Sequence, residues 1–145
     1  MPYRIAYMSR PSSTLAAAVS FLSEFEPFAS LSLKGVVATI TGAIERDHCG
    51  FVVDDEKRIV GFGCYALADE ATVARMLAGE AELDSALGRA GEVVVMLMTA
   101  AREPEVVRIM LREMGRRFPG RRWVQRRAGR ARPHHGRFPK AAAGA

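Results

Sequence analysis

Residues 92–99 read Glu-Val-Val-Val-Met-Leu-Met-Thr, and this run limits what the chain can fold into more than any other. A strand turns alternate side chains to opposite faces, so six apolar residues in a row leave no face for water. Such a run predicts a central strand covered on both sides. It is far too short to cross a bilayer, and no stretch of about 18 apolar residues exists elsewhere. The rest of the chain supplies the cover. Its 145 residues are 49% hydrophobic and 26% charged, enough for one buried core and unlike disordered, collagenous or disulfide-scaffold chains.

The covering elements follow from periodicity and punctuation. Ser12 and Ser13 are expected to cap a helix over Thr14–Phe25, with Leu15, Val19 and Leu22 on one face and Pro27 stopping it. Residues 31–44 fit both a strand, through Val36, Val37, Thr39, Ile40 and Thr41, and a helical face, through Leu33, Val36, Val37 and Ile40. Pattern alone leaves that choice open. Cys49–Val53 and Ile59–Ala66 flank the polar turn 54–58 and read as an antiparallel hairpin. Asp69-Glu70 opens a helix running to about Leu77, before Gly79. A polar link through Leu87-Gly88 leads to the central strand. Pro104 starts a helix with Val106, Val107, Met110, Leu111 and Met114 on its buried stripe, ended by Pro119-Gly120. Trp123-Val124 is a last short strand, and beyond Arg126 the pattern dissolves. The expected fold is α+β, close to α/β: one domain with a mixed, mainly antiparallel sheet flanked by helices. Its expected division is an N-terminal segment over 1–11, the domain over 12–125 and a basic, flexible tail over 126–145.

Charge divides the chain. Residues 1–115 carry a net −5, whereas residues 116–145 carry ten Lys/Arg and no acid. Arginines with Trp123, His134, His135 and Phe138 suit phosphates and stacked bases, or equally an acidic protein. Cys49 and Cys64 fit a reducing compartment, where thiols pack as small apolar groups. A secretory leader is not expected, because Glu24 and Glu26 follow the apolar stretch 15–22 at once. The cytoplasm is the expected location.

The turn Ala100-Ala101-Arg102-Glu103-Pro104-Glu105 lies where a strand meets a helix start, a place that can bind pyrophosphate on backbone amides. Here it holds no glycine, two carboxylates and a proline lacking an amide hydrogen. It reads as a helix end capped by its own acids, so a nucleotide cofactor is not expected.

Several phrases, in order, resemble the RTX-toxin-activating lysine acyltransferases. The run Thr14–Leu22 is similar to that family's first helix. Phe51–Asp55 with Ile59–Ala66 resembles its "x-P-V-A-F-A-S-W-A" hairpin. Gly91-Glu92 before the apolar strand resembles "G-D-R-x-W-x-x-D", and Phe118-Pro119-Gly120 its "F-P-G". The resemblance covers residues 14–124. It implies a fold similar to the GNAT acetyltransferases and transfer of a fatty acyl group from acyl carrier protein to a protein lysine, with neither metal nor nucleotide cofactor. It also implies a catalytic histidine and a carboxylate that the sequence lacks. The family's "S-P-x-H-R" falls on Glu26-Pro27, putting Phe28 or Ala29 at the histidine, and Met98 falls at the carboxylate. None of these side chains can carry a proton.

His48 and Cys49 are the weak substitutes, adjacent and therefore expected on opposite strand faces. His134-His135 has no spaced partner for a metal. Arg116, Arg117, Arg121, Arg122, Arg126 and Arg127 are the candidates for holding an acidic partner. Met96, Met98, Met110 and Met114 read as packing rather than an acyl-chain pocket. Two further functions stand beside acyl transfer: a non-catalytic module binding an acidic protein, and a basic-tailed nucleic-acid binder.

Overall fold

The computed structural model describes residues 2–79, 88–125 and 134–141. Six strands form one sheet in the order β1 (Arg4–Ala6), β2 (Cys49–Val53), β3 (Ile59–Ala68), β4 (Val93–Ala101), β5 (Arg122–Gln125) and β6 (His134–Arg137). Every neighbouring pair is antiparallel except β4–β5, which is parallel. The helices are α1 (Pro11–Leu22), α2 (Leu33–Arg46), α3 (Glu70–Leu77) and α4 (Pro104–Arg117). This is the mixed, mainly antiparallel α+β domain expected from the sequence. No helix among the described residues is long and apolar enough to cross a membrane.

The apolar run is the buried strand its sequence requires. Val93, Val94 and Val95 are at most 2% exposed, with α4 on one face and the other helices on the opposite face. Val94 and Met96 pack toward α4 with Tyr65 and Met114. Val93 and Val95 pack with Val73 of α3 and Val124 of β5. Met98 and Ala100 join Phe21, Leu22, Ile40, Phe51 and Phe62 beneath α1 and α2.

The ambiguous stretch is helix. Ser32 accepts a hydrogen bond from the Gly35 amide at 3.1 Å, and Asp47 closes the helix in the left-handed conformation. Val36, Ile40 and Ala43 then share a buried face against α1 and the sheet, which outweighs the β-branched residues' preference for strand. Two other expectations change. Helix α1 begins at Pro11, with Arg10 at its cap and no side-chain capping bond from Ser12 or Ser13, and it ends at Leu22 rather than Phe25. The sheet also runs past both ends of the 12–125 span. Arg4–Ala6 pairs with β2, and His134–Arg137, expected in a patternless tail, pairs with β5 and brings Phe138 into the core at 5% exposure. Four-residue strands with a glycine and two histidines carry too little alternation to be read from sequence.

Candidate functional site

Strand β4 changes character halfway along. Cys64 pairs with Met98 and Tyr65 with Met96, so Leu97 is an extra residue with no partner on β3. That bulge lets Leu97 and Met98 both pack into the core beneath α1 and α2. Beyond it, the described pairing with β5 stops, since Val93–Met96 pair with Arg122–Gln125 and the residues after Gln125 lie outside the described ones. Among the described residues, no strand pairs with the β5-side edge of Leu97–Ala101.

The same half of the sheet is hollow under α4. Gly61 allows the helix to approach, because a Cβ there would meet the Val106 side chain at 2.5 Å. One step along, Gly50 lies opposite Gly63 and Gly63 opposite Thr99, a row of small residues across three strands. Above the row stand Met110 and Met114, with Met96 beside it, and a cavity of about 50 Å³ remains. The Thr99 hydroxyl, which lines it, is buried without a hydrogen-bond partner among the described residues. Such a group costs roughly 1–3 kcal/mol unless something pairs with it.

The rim is polar. The Tyr7 hydroxyl donates to Glu113 Oε1 at 3.3 Å, and Arg116 grips both Glu113 oxygens at 2.7 and 3.1 Å. Arg117 donates to the Tyr65 hydroxyl at 3.1 Å while its guanidinium lies 5.5 Å from the Tyr7 ring. These contacts set the protonation states. The Arg116 hydrogen bonds hold the Glu113 carboxyl below its ordinary range, and burial raises both Tyr7 and Tyr65. At neutral pH the rim therefore holds a carboxylate already satisfied and two protonated phenols, with no base tuned near 7.

His48 and Cys49 do not form a catalytic couple. His48 stacks on Tyr65 with ring centroids 4.4 Å apart, and its Nδ1 accepts from Arg46 Nε at 3.2 Å. Burial, reinforced by the Arg46 charge, pushes its pKa down to about 4. The ring is neutral with its hydrogen on Nε2, so neither nitrogen is free to take a proton. Cys49 packs on the other face, and burial pushes its thiol up to about 11, the reverse of activation.

Phe28 and Met98 share one apolar cluster: Phe28 begins a short 3₁₀ turn packed against it, and Met98 is 6% exposed within it. The six arginines divide. Besides the contacts of Arg116 and Arg117 above, Arg121 donates to the Gly91 carbonyl at 2.9 Å and Arg122 pairs with Glu70 at 2.8 Å. Arg126 and Arg127 lie outside the described residues. At the start of α4, Arg102 is held by Glu24 at 2.9 Å, and Glu103 accepts from the Tyr3 hydroxyl. The cation of that turn is thus already neutralised. Of the four methionines, Met96, Met110 and Met114 line the cavity, whereas Met98 faces away from it. Tyr7, Glu113 and Thr99 escape a sequence reading because they lie 90 and more residues apart or within an apolar run. The one available hint was the Gly61-x-Gly63 spacing inside a strand, which marks close approach of another element. No group of three or more His, Cys, Asp or Glu among the described residues could hold a metal ion.

The sheet and helices match those of the GNAT acetyltransferases. A solved structure from Corynebacterium glutamicum ATCC 13032, described as histone acetyltransferase HPA2 and related acetyltransferase, superposes over 100% of both chains with a TM-score of 0.55 at 13% identity. That likeness establishes the fold. No protein-family model and no curated protein matches the sequence.

Proposed function

We propose that this chain is an acyl-transfer protein of the cytoplasm, taking a thioester-bound acyl group from an acidic acyl carrier protein to a protein lysine. The observation that carries the reading is the second half of β4, where a Met-walled cavity reaches Thr99 beside a strand edge that no described residue pairs with, on a GNAT-type fold. An extended carrier arm can add to such an edge through main-chain hydrogen bonds, while the first carbons of its acyl group enter the cavity. The start of α4 favours a carrier protein over coenzyme A. Glu103 and Glu105 repel a pyrophosphate, and Pro104 removes an amide donor.

The rim offers no base near neutrality, so the chemistry rests on positioning and on amides polarising the thioester carbonyl. The lysine nitrogen attacks that carbon, the carrier thiolate leaves, and the proton passes to solvent. Transfer therefore follows deprotonation of the free amine and rises about tenfold per pH unit below the ordinary lysine pKa of about 10.4. A bell-shaped profile centred near 7 would point to a base the rim does not contain.

A second reading is favoured by Phe28 and Met98, both apolar and packed in one cluster: the fold binds an acidic protein and transfers nothing. Acyl carrier proteins loaded with acyl groups of graded length, and the matching coenzyme A thioesters, are offered with a lysine-rich peptide. Calorimetry reads binding and mass spectrometry reads peptide acylation. Carrier binding with acylation, absent for coenzyme A, supports transfer; binding alone supports the second reading. Tight nucleic-acid binding at physiological salt, with none to the carrier, overturns both.

A further inference from the structure

Cys49 and Cys64 are directly opposite each other on the antiparallel pair β2–β3. Which kind of opposition this is decides whether they can react. The next pair along is His48 opposite Tyr65, and the Tyr65 amide donates to the His48 carbonyl at 3.0 Å. Hydrogen-bonded and non-hydrogen-bonded pairs alternate along an antiparallel ladder, so Cys49 and Cys64 form a non-hydrogen-bonded pair. In such a pair the Cα atoms are about 4.5 Å apart and the side chains lean together. That spacing falls inside the range a disulfide spans, about 4.4–6.8 Å, at its short end. Both side chains pack on the same face, beneath α1 and α2, and both are free thiols. Cys64 is 1% exposed, but Cys49 is only half-buried and borders an open groove lined by Tyr7, Met8, Ser9, Ile44 and Asp47.

We propose that Cys49 and Cys64 are a reversible dithiol–disulfide pair, closed by a small disulfide oxidant such as oxidised glutathione that reaches Cys49 through this groove. Burial keeps the Cys49 thiol protonated near neutrality, so exchange is slow there and quickens at alkaline pH, where the thiol gives its proton to solvent. The thiolate then attacks one sulfur of the oxidant, forming a mixed disulfide and releasing one glutathione thiolate. The Cys64 thiolate then attacks the Cys49 sulfur and releases the second. The protein loses two thiol protons and two electrons, and one disulfide becomes two glutathione thiols. Excess glutathione thiol reverses both exchanges, so the bridge opens again in a reducing medium. The bridge would tie β2 to β3 immediately beside His48 and Tyr65, the stacked pair at the rim of the cavity.

The test uses the whole reduced protein, treated with oxidised glutathione over a series of rising alkaline pH values and then with an alkylating agent under denaturing conditions. A monomer that has lost two hydrogens, resists alkylation at both cysteines and shows a peptide joining Cys49 to Cys64 is the expected result. Excess reduced glutathione should restore two alkylatable thiols. Cys49→Ser should remain wholly alkylatable at Cys64, and Cys64→Ala should stop at one stable glutathione adduct on Cys49. Wild-type protein that stops at that adduct, forms intermolecular dimers, or remains alkylatable at both cysteines overturns the proposal.

Discussion

Toward α1 and α2, the middle of the sheet presents Phe51, Phe62 and Met98; toward α4 it presents Gly50, Gly63 and Thr99. These residues belong to the same strands. The first face is filled by aromatic rings, with Phe51 and Phe62 5.1 Å apart, and by Phe21, Leu22 and Ile40 from the helices. The second is roofed by methionines and keeps a cavity with a hydroxyl that no described residue pairs with and a charged rim. A filled face sets stability, and an unfilled one leaves room for a ligand. The resemblance to toxin-activating acyltransferases places its catalytic positions, Phe28 and Met98, on the filled face. The open volume is on the other.

Substitutions test this contrast, beginning with the spine both faces share. Val95→Asp buries an unpaired carboxylate between β4 and α3, costing several kcal/mol against a total stability of about 5–15. Loss of the cooperative thermal transition, or insoluble protein, is the expected outcome.

Next come the two faces themselves. Phe62→Ala should lower stability by about 3–5 kcal/mol in urea melts, because its close-packed neighbours cannot collapse onto the gap. Gly63→Ala, the adjacent residue facing the cavity, should cost nothing and can gain about 0.5–1 kcal/mol. Its new Cβ meets the Met110 sulfur at 3.6 Å and the Met98 carbonyl oxygen at 4.0 Å, both ordinary contacts. Equal losses at both positions would erase the distinction between the faces.

Thr99→Val keeps the shape and removes the orphaned hydroxyl. Stability should rise by about 1 kcal/mol, while any ligand that bonds to that hydroxyl binds less tightly. A drop in melting temperature instead would mean the hydroxyl has a partner.

The smallest effect concerns acid. Folding lowers the His48 pKa from 6.5 to about 4. Between those values the unfolded chain binds more protons than the folded one, so stability falls as pH drops from about 6.5 to 4 and is fully present above 6.5. The imidazole is half in solvent, which limits the change to a few degrees in melting temperature. His48→Gln should flatten that part of the curve without altering the melting temperature near pH 7.5 by a similar amount.

Much of this architecture was legible from local chemistry. The Asp69 cap accepting from the Thr72 amide at 2.7 Å, the polar turn between β2 and β3, Pro104 opening α4 and the apolar β4 all act within a few residues. Capping, turn and periodicity rules apply at that range. The site was not legible in the same way. Tyr7 meets Glu113 across 106 positions, and Tyr65 meets Arg117 across 52.

The sequence by itself determined that a strand at 93–98 must be buried on both sides and that helices must cover it, because nothing in the run tolerates water. Only the tertiary structure decided that residues 33–46 are helical, since burial of Val36, Ile40 and Ala43 overrode their neighbours' preference for strand. It alone joined His134–Arg137 to the sheet through β5 and seated Phe138 beside it. The bulge at Leu97, the parallel pairing of β4 with β5 and the glycine row under α4 likewise exist only as pairings between strands. A pairing register is a property of two segments at once, and neither segment's own residues specify it.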